Sequence, residues 1–220
     1  MEIVIQHLTK TINKVTVLED VNMKLCSGHI YGFQGENGSG KTMLLRAISG
    51  LLCATSGKIV IDGQVLGKDI SFPPNLGIML ENPAFIDSYT GYDNLKLLAS
   101  IRRKNPDIKQ VLEQVGLAAN DKRKYRKYSL GMKQRLGIAC AIMENPDLLI
   151  LDEPFNALDQ TGQDKLAEIL LKKKEEGCLI LLTAHDKDVL ERLSDELFLV
   201  SKGRFERKAK ECLENASSNQ

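Results

Sequence analysis

The sequence predicts an α/β fold: a core with a mainly parallel sheet, an N-terminal antiparallel β subdomain and a helical subdomain inserted into the core. Three observations predict it. Leu148-Leu149-Ile150-Leu151 and Leu179-Ile180-Leu181-Leu182 are continuous apolar runs, as in parallel strands covered on both faces, and the helical pattern Gln163 to Lys174 between them completes a βαβ unit. Residues 1–28 instead alternate apolar and polar positions, the mark of half-buried antiparallel strands. From about 84 to 145 the period becomes helical, so an all-helical segment interrupts the strands.

Taken in order, Ile3-Val4-Ile5 makes a first strand. Val15, Val17, Val21, Met23 and Leu25 line one face of a second. His29 to Phe33 is a short buried strand, followed by a helical pattern, Met43 to Ile48, that stops at Ser49-Gly50. Lys58 to Asp62 is a strand closing at Gly63, and Leu76 to Leu80 is another. Helices are expected over Tyr92–Ile101, Ile108–Val115 and Met132–Met143. Leu197 to Val200 and the segment after Gly203 suggest a final hairpin, and Glu214 to Gln220 a polar, frayed end. The expectation is one domain over 1–220, with the helical subdomain at about 84–145.

Between the third strand and its helix lies Gly35-Glu36-Asn37-Gly38-Ser39-Gly40-Lys41-Thr42, which fits the phosphate-loop pattern G-x-x-x-x-G-K-S/T in full. The glycines let the backbone curl so that successive N–H groups point inward at an anion. The helix that begins near Lys41 adds its positive end. Lys41 is expected on the β- and γ-phosphates and the Thr42 hydroxyl on Mg²⁺. The nucleotide-binding set is Gly35, Asn37, Gly38, Ser39, Gly40, Lys41, Thr42 and Met43, and the core is of the P-loop NTPase kind.

Composition limits the alternatives. The chain has 220 residues, 43% hydrophobic and 27% charged, with net charge +1. That is an ordinary globular balance, and it argues against a nucleic-acid binder relying on bulk charge. No apolar run approaches the ~20 residues that span a bilayer. The cysteines, Cys26, Cys53, Cys140, Cys178 and Cys212, form no C-x-x-C pair and read as buried free thiols in a reducing compartment. The basic run Lys122 to Lys127 reads as a solvated linker and Lys172 to Lys174 as a cationic helix end.

The apolar run at 148–151 ends on Asp152-Glu153-Pro154. Acids at the carboxyl end of a buried strand sit where α/β folds bind ligands. Asp152 is expected to hold Mg²⁺ and Glu153 to orient and polarise the attacking water.

The phosphate loop, Tyr128-Ser129-Leu130-Gly131-Met132-Lys133-Gln134-Arg135, the Asp152-Glu153 strand, Asn156-Ala157-Leu158-Asp159 and Thr183-Ala184-His185-Asp186 occur in that order. Together they resemble the ATP-binding cassette family over nearly the whole chain. Ser129 and Gly131 match its Leu-Ser-Gly-Gly-Gln signature, whereas Leu130 and Met132 depart from it. The resemblance implies a head-to-tail dimer with a second cassette. Each ATP would then lie between the phosphate loop of one copy and Ser129 and Gly131 of the other. It implies that His185 contacts the γ-phosphate and that Asp159 communicates across the dimer, although a helix N-cap fits Asp159 as well. It places Glu81 where the family has a Mg²⁺-binding glutamine, with Asn82 as the alternative. It also places Ile12 where an aromatic usually stacks on adenine, and Ile has no π face. Glutamate at 81 resembles a subgroup tied to export of, and self-protection from, peptide antibiotics.

By the same resemblance the chain is the ATP-hydrolysing subunit of a transporter, with ATP and Mg²⁺ as cofactors. It would sit in the cytoplasm on the inner face of the membrane, docked on a separate membrane-spanning permease, with Phe85, Ile86 and Tyr89 as candidate contacts and core packing as the competing reading of each. The alternative is a cassette serving a soluble complex. Residues 84–128 are too short and lack the heptads of the DNA-maintenance type, and one cassette is present where ribosome-acting types usually carry two. A regulatory module without turnover is disfavoured by Lys41, Asp152, Glu153 and His185.

Overall fold

The computed structural model describes residues 1–81, 83–101, 105–184 and 186–208. Two sheets organise it. The first is antiparallel, with β1 (Glu2–Ile12), β2 (Val15–Cys26), β4 (Ser56–Ile61) and β5 (Gln64–Val65) in the order β2-β1-β4-β5. Asn13 and Lys14, both at positive φ (48° and 67°), close β1 onto β2, the two-residue turn whose twist suits a hairpin. That turn holds Ile12 opposite Val15 at the hairpin tip.

The second sheet joins β3 (Ile30–Gln34), β6 (Leu76–Met79), β7 (Leu148–Leu151), β8 (Leu179–Thr183), β9 (Glu196–Ser201) and β10 (Arg204–Arg207). Its order is β10-β9-β3-β8-β7-β6, and every pairing is parallel except that of the β9–β10 hairpin. The fully buried patterns of β7 and β8 reflect helices on one face and the antiparallel layer on the other.

Helix α1 (Lys41–Ile48) lies between the sheets. Its Leu44, Leu45, Ala47 and Ile48 join Ile3, Ile5, Leu25, Phe33 and Ile150 in one apolar cluster. On the other face a second cluster gathers α2 (Gly91–Ile101), α3 (Ile108–Gln114), α4 (Leu130–Ile142), α5 (Gln160–Glu175) and α6 (Lys187–Leu193) against β7, β8 and β9. Three of these helices, α2 to α4, are inserted between β6 and β7, which are neighbours in the sheet. Tyr125, between α3 and α4, ties the insertion back to its own start: it is buried, and its hydroxyl donates to the Pro83 carbonyl at 2.5 Å.

Several expectations shift. The first strand runs on to Ile12 because bulges at His7 and Asp20, both at positive φ, break the alternation by which a strand is read. α4 begins two residues before the expected Met132, since Ser129 accepts from the Met132 N–H at 3.3 Å and caps the helix. Of the cysteines expected to be buried, Cys178 is, Cys26 and Cys140 are half-buried and Cys53 is exposed, because it follows α1 in a surface loop. Asn82, His185, Cys212 and the segment 214–220 lie outside the described residues.

Candidate active site

The carboxyl ends of β3, β8 and β7 stand side by side, and each delivers one part of the site. After β3 the glycine loop turns into α1. Gly40 adopts φ 115°, which favours glycine, and a Cβ there would lie 2.8 Å from the Val17 carbonyl oxygen. The loop is therefore pressed against β2 and leads its N–H groups into α1. Lys41 is buried, with Nζ donating to the carbonyls of Gly35 (2.7 Å) and Glu36 (3.0 Å). Its charge is thus held over the loop, beside the positive end of α1.

After β7 comes Asp152, buried, with both carboxylate oxygens engaged. Oδ2 accepts from the Thr42 hydroxyl at 2.6 Å and Oδ1 from the Thr183 hydroxyl at 2.5 Å. Thr183 ends β8, the strand between the other two. Its oxygen also accepts from the Glu153 N–H at 2.8 Å. Glu153 sits at φ 54°, an uncommon conformation for a residue with a Cβ. Its carbonyl and that of Pro154 each accept from the Gln134 side-chain amide at 3.1 Å.

These groups open on a cleft of about 760 Å³ lined by Asn37, Gly38, Gly40, Lys41, Thr42 and Met43, by Glu81, Gln134, Asp152, Glu153 and Asn156, and by Ile12, Asn13, Val15 and Val17. One end is therefore charged and the other is an aliphatic wall. That division matches a molecule with a polyanionic tail and a flat apolar head. Thr42 and Asp152 converge as hard oxygen donors, suited to Mg²⁺, which keeps waters and takes substrate phosphate as further ligands.

Gly35 and Ser39 belong to the loop but not to the cleft lining. The Ser39 hydroxyl is buried and has no hydrogen-bond partner among the described residues. Glu81 lies on the rim, where its carboxylate meets Arg46 of α1 at 2.5 Å. Ser129 caps α4 and Gly131 lies in its first turn, both outside this cleft. Asp159 caps α5 through the Gly162 N–H at 3.1 Å and is also ion-paired to Arg135 of α4. Phe85 is half-buried, packing edge-on against Tyr125 at the border of the core, whereas Ile86 and Tyr89 are exposed.

Sequence reasoning gave no role to Gln134, Thr183, Arg46, Val15 or Val17. Gln134 and Thr183 stood inside recognised motifs, but their bonds run to backbone and to residues of other strands, which no spacing rule reveals.

Residues 18–156 match the protein-family model described as ABC transporter. The chain belongs to the ABC transporter family. Among curated proteins this cassette is 46% identical to the uncharacterized ABC transporter ATP-binding protein YybJ of Bacillus subtilis, over 91% of this chain and 93% of that one. It is 36% identical to the lantibiotic transport ATP-binding protein SrtF of Streptococcus pyogenes, covering 98% and 96%. It is 37% identical to the bacitracin transport ATP-binding protein BcrA of Enterococcus faecalis, covering 93% and 68%. Among solved structures it resembles an ATP binding subunit of an ABC transporter, with TM-score 0.85, 27% identity and coverage of 96% and 90%. A dimeric post-hydrolysis ATP-binding cassette bound to ADP and Pi shares the fold, with TM-score 0.81, 22% identity and coverage of 93% and 98%. The chain is an ATP-binding cassette of the transporter type, and its mixed, mainly parallel sheet is that of the P-loop NTPases.

Proposed function

We propose that this cassette hydrolyses ATP to drive a separate membrane-spanning permease that exports peptide antibiotics. The observation that carries the ATPase reading is the meeting of Thr42 and Asp152 at 2.6 Å beside Lys41, with Glu153 next in the chain. The triphosphate would lie on the glycine loop with Lys41 on its terminal phosphates. Thr42 and Asp152, with Glu81 as a further candidate, would hold Mg²⁺, which when bound would neutralise charge at the transferred phosphate. Glu153 accepts hydrogen bonding from the attacking water and takes its proton. His185 is proposed to touch the γ-phosphate.

Dimerisation with a second cassette would bring that copy's Ser129 and Gly131 onto the nucleotide. The Ser129 hydroxyl and the N–H groups of the first turn of α4 suit a phosphate. Residues 84–145 are proposed to act as the arm that meets the permease, through exposed Ile86 and Tyr89. Among the described residues no helix is long and apolar enough to cross a membrane, so the reading puts the chain on the cytoplasmic face of a partner that crosses it. Relatives named for lantibiotic and bacitracin transport support this choice of transported class.

The test is affinity purification of the tagged chain from solubilised membranes. A polytopic membrane protein in near-stoichiometric amount, lost on Ile86→Asp with Tyr89→Asp, is expected. Recovery solely with a soluble complex would move the function to a non-transport assembly.

A further inference from the structure

The segment from Glu153 to Asp159 meets the first turns of α4 at three places. Gln134 donates to the Glu153 and Pro154 carbonyls, both at 3.1 Å. Gly131 lets α4 approach closely, since a Cβ there would lie 2.7 Å from the Ala157 carbonyl oxygen. Arg135 pairs with Asp159. From the opposite side the Thr183 hydroxyl holds the Glu153 N–H at 2.8 Å. Glu153 therefore has its N–H bound by a side chain of β8 and its C=O by a side chain of α4.

Its backbone needs holding. At φ 54° a glutamate is in a conformation that costs free energy unless its surroundings fix it. The adjoining peptides set where the Cα–Cβ bond points, and so where the carboxylate lies. Gln134 is 6% exposed and Thr183 is fully buried. Removing this buried amide takes its bond from the Pro154 carbonyl and leaves the Glu153 carbonyl with the Asn156 N–H, at 3.2 Å.

We infer that Gln134 and Thr183 are positioning residues that clamp the Glu153 peptide in its left-handed conformation and aim its carboxylate at the attacking water. The inference rests on the proposed role of Glu153. Because Gln134 stands five positions after Ser129 on one helix, a displacement of the signature end of α4 moves the Glu153 carbonyl with it. The clamp thus makes the aim of Glu153 depend on α4.

The test measures steady-state ATP hydrolysis and equilibrium binding of a fluorescent ATP analogue by the full-length chain. The variants are Gln134→Leu, Thr183→Val, Thr183→Ser, Glu153→Gln and the double variant Gln134→Leu with Glu153→Gln. In Gln134→Leu a misaimed carboxylate is expected to lower kcat on the order of tenfold or more, with analogue affinity and KM within about twofold; Thr183→Val, which also frees Asp152 Oδ1, is expected to lower kcat at least as much. Thr183→Ser should recover most of the loss seen in Thr183→Val. Gln134→Leu should cost little further in the Glu153→Gln background, because the group it aims is already gone. Unchanged kcat in Gln134→Leu, or equal added loss in both backgrounds, overturns the clamp. Unchanged turnover in Glu153→Gln overturns the reading of Glu153 itself, a separate outcome. Should Gln134→Leu not fold, Gln134→Glu keeps the volume and replaces the donor with an acceptor facing two carbonyls, and the same losses are expected.

Discussion

The Thr42 hydroxyl donates to Asp152 at 2.6 Å, across 110 positions of sequence. It joins the helix that follows the phosphate loop to the strand that ends on the two acids. The contact exists because β3 and β7 are separated in the sheet by β8 alone, and the residue that ends β8, Thr183, holds the other oxygen of the same carboxylate. Two hydroxyls thus fix the rotation of Asp152. Replacing it by Asn keeps the shape and removes a negative oxygen donor. Titration of Mg²⁺ against nucleotide-dependent turnover should show apparent affinity for the ion lower by on the order of tenfold or more. An unshifted titration would remove Asp152 from the metal site.

The wall at the far end of the cleft concerns the base. Ile12, Val15 and Val17 supply apolar area there and no hydrogen bond of their own side chains. Such a wall reads purine identity poorly, so GTP should be hydrolysed at a measurable rate beside ATP. Ile12→Tyr adds a stacking face worth about 1 kcal/mol and should shift preference toward ATP. Competition assays giving equal discrimination for both proteins would contradict this.

Thiol chemistry separates two cysteines. Burial pushes the Cys178 thiol up to about 12, so at pH 8 it is protonated as well as shielded. Cys53 is exposed. A maleimide reagent followed by peptide mass spectrometry should label Cys53 in the native protein and Cys178 only after denaturant is added. Native labelling of Cys178 at a comparable rate would contradict the packing of β8 on its neighbours.

Asp195 ties three elements together. Its Oδ2 accepts from the Ile30 N–H at 2.8 Å and its Oδ1 from Lys174 at 2.5 Å, linking the start of β3, the end of α5 and the entry to β9. Burial pushes its carboxyl up, but the Ile30 N–H and the Lys174 ammonium more than offset that and hold it below the usual range. A depressed carboxylate stabilises the fold above its ordinary value of about 4, and the contribution is lost as pH falls through the depressed one. Asp195→Asn should therefore cost about 1 to 2 kcal/mol at pH 7 by urea unfolding, and the gap between the two proteins should narrow in acid. A constant gap down to pH 2 would assign the effect to packing alone.

Much of this molecule was legible because local signals and tertiary roles agree. The runs 148–151 and 179–182 became β7 and β8 with little change, since a strand buried on both faces has no polar position to confuse its reading. The phosphate loop was legible because its backbone geometry demands glycine at fixed places. Less legible was whatever depends on bonds between distant elements. α6 passed unnoticed: its seven residues are mostly polar, and its mark was a single cap, Asp186, accepting from Asp188 and Val189. β5 is two residues long, too short for any period. Glu81 was expected at the metal from its place in the chain, and its pairing with Arg46 depends on how α1 lies beside the end of β6. Phe85, a candidate permease contact with core packing as its competing reading, is half-buried and meets Tyr125, a partner forty positions away that local sequence does not reveal.

The central claim is that this cassette turns over ATP through Glu153. The most direct measurement is Mg²⁺-dependent phosphate release by the purified chain, compared with that of Glu153→Gln at saturating ATP. The account predicts steady release by the natural sequence, at least about a hundredfold slower release by the variant, and retained ATP binding by both. Equal rates in the two proteins, or no release by either while ATP is bound, would contradict it.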